Sequence, residues 1–121
     1  MNAREYGRLA EAVAAEFLAG RGYRLVAANY RCRAGEVDLI AWDGPVLVFV
    51  EVKARRQGQA GAPVEAIDER KLRRLRAAAG HYLATHFRRG EPLCRFDAVL
   101  AGPGAGGVRS PGALSLIRGI T

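Results

Sequence analysis

GEVDLIAWDGPVLVFVEVK, residues 35–53, is the stretch on which the reading of this chain turns. Two apolar runs flank Asp43-Gly44, and inside those runs stand Asp38, Glu51 and Lys53. Charged side chains are seldom buried without partners, so three of them here require a reason. Asp-Gly suits the positive φ angles of a two-residue type I′ hairpin loop. With Asp43 and Gly44 as the loop, Trp42 pairs with Pro45, Ile40 with Leu47, Asp38 with Phe49 and Glu36 with Glu51. Alternation then collects Glu36, Asp38, Glu51 and Lys53 on one face of the sheet. Asp38 and Glu51 become diagonal neighbours, about 7–8 Å apart at the backbone. A four-residue loop from Trp42 to Pro45 keeps this register, whereas a three-residue loop sends the two carboxylates to opposite faces.

Two neighbouring carboxylates repel and each resists desolvation, which asks for a cation between them. Magnesium suits oxygen donors and takes only one or two carboxylates from protein, keeping several waters. Lys53, on the same face as Glu51, can hold or polarise an attacking water or steady a phosphate. Together these groups form an acid-acid-lysine set fit for metal-assisted hydrolysis of a phosphodiester. The spacing D-x(12)-E-x-K also arises by chance. The competing reading is a rim hairpin whose charges face water, or in which Lys53 simply pairs with Glu51 or Asp38.

Composition favours the chemical reading. Among 19 basic residues only Lys53 and Lys71 are lysine. Arginine is a permanently charged planar fork, whereas lysine is a compact charge whose pKa shifts readily, which suits a group that orients water or takes a proton. A net charge of +7 and a pI near 10.2 point to a polyanionic partner, nucleic acid or an anionic membrane surface. At 121 residues, half of them hydrophobic, the chain is expected to be one ordered domain, 1–121. No apolar run approaches the ~20 residues of a membrane span, and the N-terminus lacks the apolar core of an export signal. Cys32 and Cys94 show no C-x-x-C spacing and read as reduced thiols, so a cytoplasmic location is expected. His81 and His86, five apart on a helix, fall on different faces and do not suggest a histidine metal site.

Outward from the hairpin, residues 3–19 read as an amphipathic helix with Leu9, Val13 and Phe17 at the centre of its apolar stripe. Glu11 sits at the stripe's edge, and Gly7, one turn earlier, leaves room for another backbone. Gly20 and Gly22 end this helix. Tyr23 to Ala27, continuing towards Asn29-Tyr30-Arg31, forms a first strand, and the near-continuous apolar run Val46 to Val52 reads as a central strand covered on both faces. The loop Gln57 to Pro63 follows as a candidate substrate clamp. Asp68 caps a second helix running to about Phe87, with Leu72, Leu75, Ala79, Tyr82 and Leu83 inward. Its first turns present Arg70, Lys71, Arg73, Arg74 and Arg76, a basic stripe fit for phosphates. Strands over Cys94 to Leu100 and Leu114 to Ile120 follow, separated by a Gly/Pro-rich loop, Ala101 to Gly112.

Gly7-x-x-Ala10-Glu11-x-x-Ala14, Gly22-Tyr23, Asn29-Tyr30-Arg31, Gly35-Glu36-Val37-Asp38-Leu39-Ile40, Phe49-Val50-Glu51-Val52-Lys53 and Arg95-Phe96-Asp97, in that order, resemble the YraN-type bacterial proteins. That family is similar to archaeal Holliday-junction resolvases and to the wider PD-(D/E)xK nuclease superfamily. The resemblance implies a restriction-endonuclease-like α/β core, a mixed central sheet flanked by helices. It implies Asp38 and Glu51 as metal ligands with the Val52 carbonyl as a third, Lys53 as catalytic lysine, and Glu11 as the helical glutamate completing the site. Glu36 belongs to the motif without a required catalytic role, and Ala10 replaces the family's second N-terminal glycine. The expected activity is a Mg²⁺- or Mn²⁺-dependent nuclease on DNA, branched or otherwise structured, with a homodimer if junctions are the substrate. Lys71, Arg70, Arg73, Arg74, Arg55 and Arg56 would grip the nucleic-acid backbone. The alternatives are a nucleic-acid-binding module without turnover and a protein-interaction adaptor.

Overall fold

Asn2 starts the first helix by accepting the Glu5 N–H through its side chain at 2.9 Å, which satisfies one of the orphan donors of the first turn. A computed structural model of the chain describes residues 2–54, 68–101 and 114–121. Its elements are α1 (Ala3–Gly20), β1 (Arg24–Cys32), β2 (Gly35–Asp43), β3 (Val46–Ala54), α2 (Glu69–His86), β4 (Leu93–Ala101) and β5 (Leu114–Arg118). Arg55, Arg56, the loop Gln57 to Pro63 and positions 102–112 of the Gly/Pro-rich loop lie outside the described residues.

The five strands form one mixed sheet in the order β1-β2-β3-β4-β5. β3 and β4 are parallel, with α2 in the crossover between them, and the other neighbouring pairs are antiparallel. This is the expected α/β architecture, a mixed central sheet flanked by helices, in the order helix, three strands, helix, strand, strand. β3 is central and buried on both faces, as its apolar run requires. Its Leu47 and Phe49 pack under α2 with Leu75, Ala79 and Tyr82, while Val48 and Val50 pack under α1 with Ala14 and Leu18.

The hairpin differs from the sequence expectation by one residue per strand. Asp43 pairs with Val46, so the loop is Gly44-Pro45, with Gly44 at φ 58. Asp43 stays in its strand because its carboxylate accepts a hydrogen bond from the Arg95 guanidinium at 2.7 Å. Glycine takes the first loop position, which needs positive φ, and Pro45 has no N–H to offer a ladder. A two-residue loop is retained, so facing residues change by two and the carboxylates keep a common side. Leu39 pairs with Val50 as the last step of the ladder, and Asp38 follows with Glu51 close enough for their charges to act on each other.

Strict alternation fails beside Asp38. Val37 and Ile40, three residues apart, both join the core under α2, and so do Ala27 and Tyr30 of the paired strand. Asn29, between the latter two, takes φ 54, a left-handed angle that asparagine tolerates better than most residues. β1 and β2 thus skip a step together at the level of Asp38. Gly35 then lies directly under α2, where a Cβ would sit 2.3 Å from the Arg74 carbonyl oxygen. Gly35→Ala is expected to push β2 and α2 apart and to lower stability by about 1–3 kcal/mol, as overpacking does. Chemical denaturation checks this, and a variant as stable as wild type would show that α2 shifts freely.

Candidate functional site

The hairpin ladder ends at Leu39 and Val50, and the Asp38 side chain takes over from the backbone there. Its Oδ2 accepts the Val52 N–H at 2.8 Å. In an antiparallel ladder the N–H and C=O of one residue point to the same side. The Val52 carbonyl is therefore turned towards Asp38 as well. Burial, and then the charge of Glu51, push the Asp38 carboxyl up to about 8. Burial also raises Glu51, against the opposing pull of Lys71 and Lys53. A cation between two carboxylates this reluctant to ionise together would relieve their repulsion.

Glu11 reaches the same region from α1. Burial raises its pKa, Asn29 and the charges of Arg31 and Arg8 oppose that rise, and Glu36 adds to it. Its Oε1 is buried without a hydrogen-bond partner. An orphaned carboxylate oxygen beside two strained carboxyls fits a positive ligand better than an apolar one. Among the described residues, however, no three Asp, Glu, His or Cys side chains converge into a metal cluster. A hard divalent ion here would rest on Asp38 and Glu51, with the Val52 carbonyl and water filling the remaining positions and Glu11 standing farther out. That is a donor set suited to magnesium or manganese.

The lysines occupy unexpected relative roles. The ion pair with Glu51 is made by Lys71 of α2, at 4.0 Å, not by Lys53. The Asp68 side chain fixes the start of α2 by accepting the Lys71 N–H at 2.9 Å, and so positions that lysine over the sheet. Lys53 lies beside Lys71, whose proximity, together with burial, holds the Lys53 ammonium below the ordinary lysine range. Arg70, Lys71 and Arg74 border a cavity of about 290 Å³ with Glu36, Glu51 and Asp68. Arg73 is exposed and does not border it, and Arg76 turns away to Glu69 at 2.8 Å and to Thr121 at 2.6 Å. Glu36 is also tied to Arg31 on the neighbouring strand at 3.3 Å.

Two features escaped the sequence reading. One is the set of arginines on the α1 side, Arg4, Arg8 and Arg31, which border a depression of about 540 Å³ with Glu11 and Asn29. The i, i+4 spacing of Arg4 and Arg8 on a helix that also carries Glu11 was the available signal. The other is the role of Arg95-Phe96-Asp97. Asp97, fully buried, accepts hydrogen bonds from Tyr23 Oη at 2.8 Å, from Arg95 Nε at 2.8 Å and from the Gly119 N–H at 3.1 Å. Burial and the contact with Asp97 raise the Tyr23 hydroxyl pKa. This network lies towards the hairpin end of β3 and serves the fold, not the acidic cleft.

Fold and cleft together define a small α/β protein with paired carboxylates and two lysines near the C-terminal end of its central strand. The chain belongs to the uncharacterised protein family UPF0102, whose profile matches residues 10–101. A UPF0102 protein of Symbiobacterium thermophilum is 53% identical over 106 residues, which is 86% of this chain and 87% of that protein. One of Renibacterium salmoninarum is 50% identical over 95 residues, 78% of this chain and 80% of its own length. A relative from Chlorobium limicola is 48% identical over 93 residues, covering 77% and 71%.

Proposed function

We propose that this protein is a divalent-metal-dependent nuclease that hydrolyses phosphodiester bonds in DNA, with branched or structured DNA as the favoured class. The observation that carries the reading is the neighbouring pair Asp38 and Glu51, ionised only with difficulty and flanked by Lys53 and Lys71. The ordered motifs resembling the YraN-type proteins, and through them the resolvase-like PD-(D/E)xK nucleases, support it. Asp38, Glu51 and the Val52 carbonyl would hold Mg²⁺ or Mn²⁺, which when bound lowers the pKa of a coordinated water and offsets charge on the scissile phosphate. Lys53 orients the attacking water, and its depressed pKa lets it share the proton. Lys71, which pairs with Glu51 in this structure, would be free to turn to a phosphate oxygen with a cation on Glu51, while Arg70 and Arg74 would hold the neighbouring backbone. The reading implies a cytoplasmic protein with nucleic acid as its partner, acting as a homodimer on junctions. Among the described residues no helix is long and apolar enough to cross a membrane.

The test is cleavage of labelled four-way junction, flap, single strand, linear duplex and structured RNA in Mg²⁺, Mn²⁺ or EDTA. Wild type should cut in metal only, and Asp38→Asn and Lys53→Ala should each be slower by at least about 100-fold. Equal cutting by all three proteins would refute the assignment of this site. Tight binding by every protein without cleavage would identify the scaffold as a binding module instead.

A further inference from the structure

Gly7 lies in the second turn of α1, and glycine is among the poorest helix formers. A close-packed neighbour would account for it, yet a Cβ built there meets nothing within 4 Å. The space above Gly7 is the α1–β1 depression bordered by Arg4, Arg8 and Arg31. Arg4 and Arg8 make no ion pair among the described residues, and Arg31 pairs with Glu36 at the outer side. Gly7 and Glu11 are shared with a second depression of about 210 Å³ that runs on to Val52 and Lys53. The two depressions thus adjoin along Gly7 and Glu11, and the second ends at Lys53, whose charge acts on both Asp38 and Glu51. The α2 cavity, with Arg70, Lys71 and Arg74, borders the same pair of carboxylates through Glu51.

We infer that the groove between α1 and β1 is a binding site for a nucleic-acid strand, in which the sugar-phosphate backbone crosses over Gly7 between Arg4 and Arg8. Glycine is the residue that permits such close approach of a backbone. The inference rests on the nuclease reading and extends it. Substrate chain continues on both sides of the reacting phosphate, one side in the α2 cavity and the other in the α1 groove, so the bond cut is internal. Glu11, at the inner end of the groove, has its charge opposed by Arg8 and Arg31 and stands where the strand leaves the arginines for Lys53.

Three variants test this by fluorescence anisotropy on labelled single strand and duplex in EDTA, over a range of salt. Arg4→Ala/Arg8→Ala should weaken binding about 10-fold or more and reduce the slope of log K against log salt by about 2, the signature of two lost phosphate contacts. Arg88→Ala/Arg89→Ala removes the same charge from an exposed turn away from both tracks and should change affinity less than 2-fold. Gly7→Leu fills the groove and should weaken binding comparably to the Arg4/Arg8 double variant, with a Tm equal to or above wild type. Equal losses in the two arginine pairs, or wild-type binding by Gly7→Leu, would overturn the groove while leaving the nuclease reading in place. No nucleic-acid binding by wild type even at low salt would overturn both.

Discussion

Asp38→Asn should make the metal-free protein more stable at pH 8, not less. Burial and the charge of nearby Glu51 push the Asp38 carboxyl up to about 8, against 3.8 for the free group. Between about pH 4 and 8 the folded chain therefore holds a proton that the unfolded chain has released. Stability of wild type in EDTA consequently falls as pH rises through that window, and the raised Glu51 acts in the same direction. Asparagine keeps an oxygen for the Val52 N–H and carries no charge, so the slope should flatten. A tenfold change in proton affinity corresponds to ~1.4 kcal/mol, so the gain at pH 8 is on the order of 2–5 kcal/mol. Denaturant unfolding at pH 5 and pH 8 measures it. Wild type at pH 8 should also gain stability on adding Mg²⁺ or Mn²⁺, because a ligand that binds only the folded state stabilises it. The variant should lose that response. A variant less stable than wild type in EDTA at pH 8 would mean that Asp38 is ionised and compensated by the chain itself.

Asp97→Ala should have the largest effect on folding. Its carboxylate is inaccessible and holds Tyr23, both donor edges of Arg95, and the backbone after β5. Removing it takes away the acceptor of the Tyr23 hydroxyl and leaves Arg95 with Asp43 and the Tyr23 oxygen. Breaking a buried charged network by deleting one member costs about 3–5 kcal/mol. For a chain of this size that lowers Tm by on the order of 10–20 °C. Thermal unfolding followed by circular dichroism checks it. A change under about 1 kcal/mol would show that water replaces the carboxylate without loss.

These two aspartates also mark what the sequence could and could not convey. Apolar periodicity carried both helices and all the strands, because α1 and α2 each bury one stripe and β3 buries both faces. The acid pair was legible because a two-residue loop preserves strand faces even when it slides. The slide itself was not, because it depends on Asp43 finding Arg95, a residue 52 positions away. Asp97 stood among the motifs of the resemblance without a role, since a buried structural charge and a catalytic one share the same letters. The pairing of Glu51 with Lys71 and the groove over Gly7 depend on where two helices dock, which no local spacing encodes. The step in β1 and β2 at Asn29 was equally hidden, because a single left-handed residue leaves little trace in composition.

The parallel pairing of β3 with β4 has a consequence for the order in which the molecule assembles. Asp38 and Glu51 belong to one hairpin, whose closure joins near neighbours in the chain. Val46 meets Leu93 only after the whole crossover, α2 included, has closed. Loop-closure entropy makes such distant contacts late relative to local ones. The two carboxylates are thus brought together before Lys71 arrives to offset them. During that interval Lys53 is the one basic group on the hairpin to set against its carboxylates, and the late docking of a basic helix adds the second.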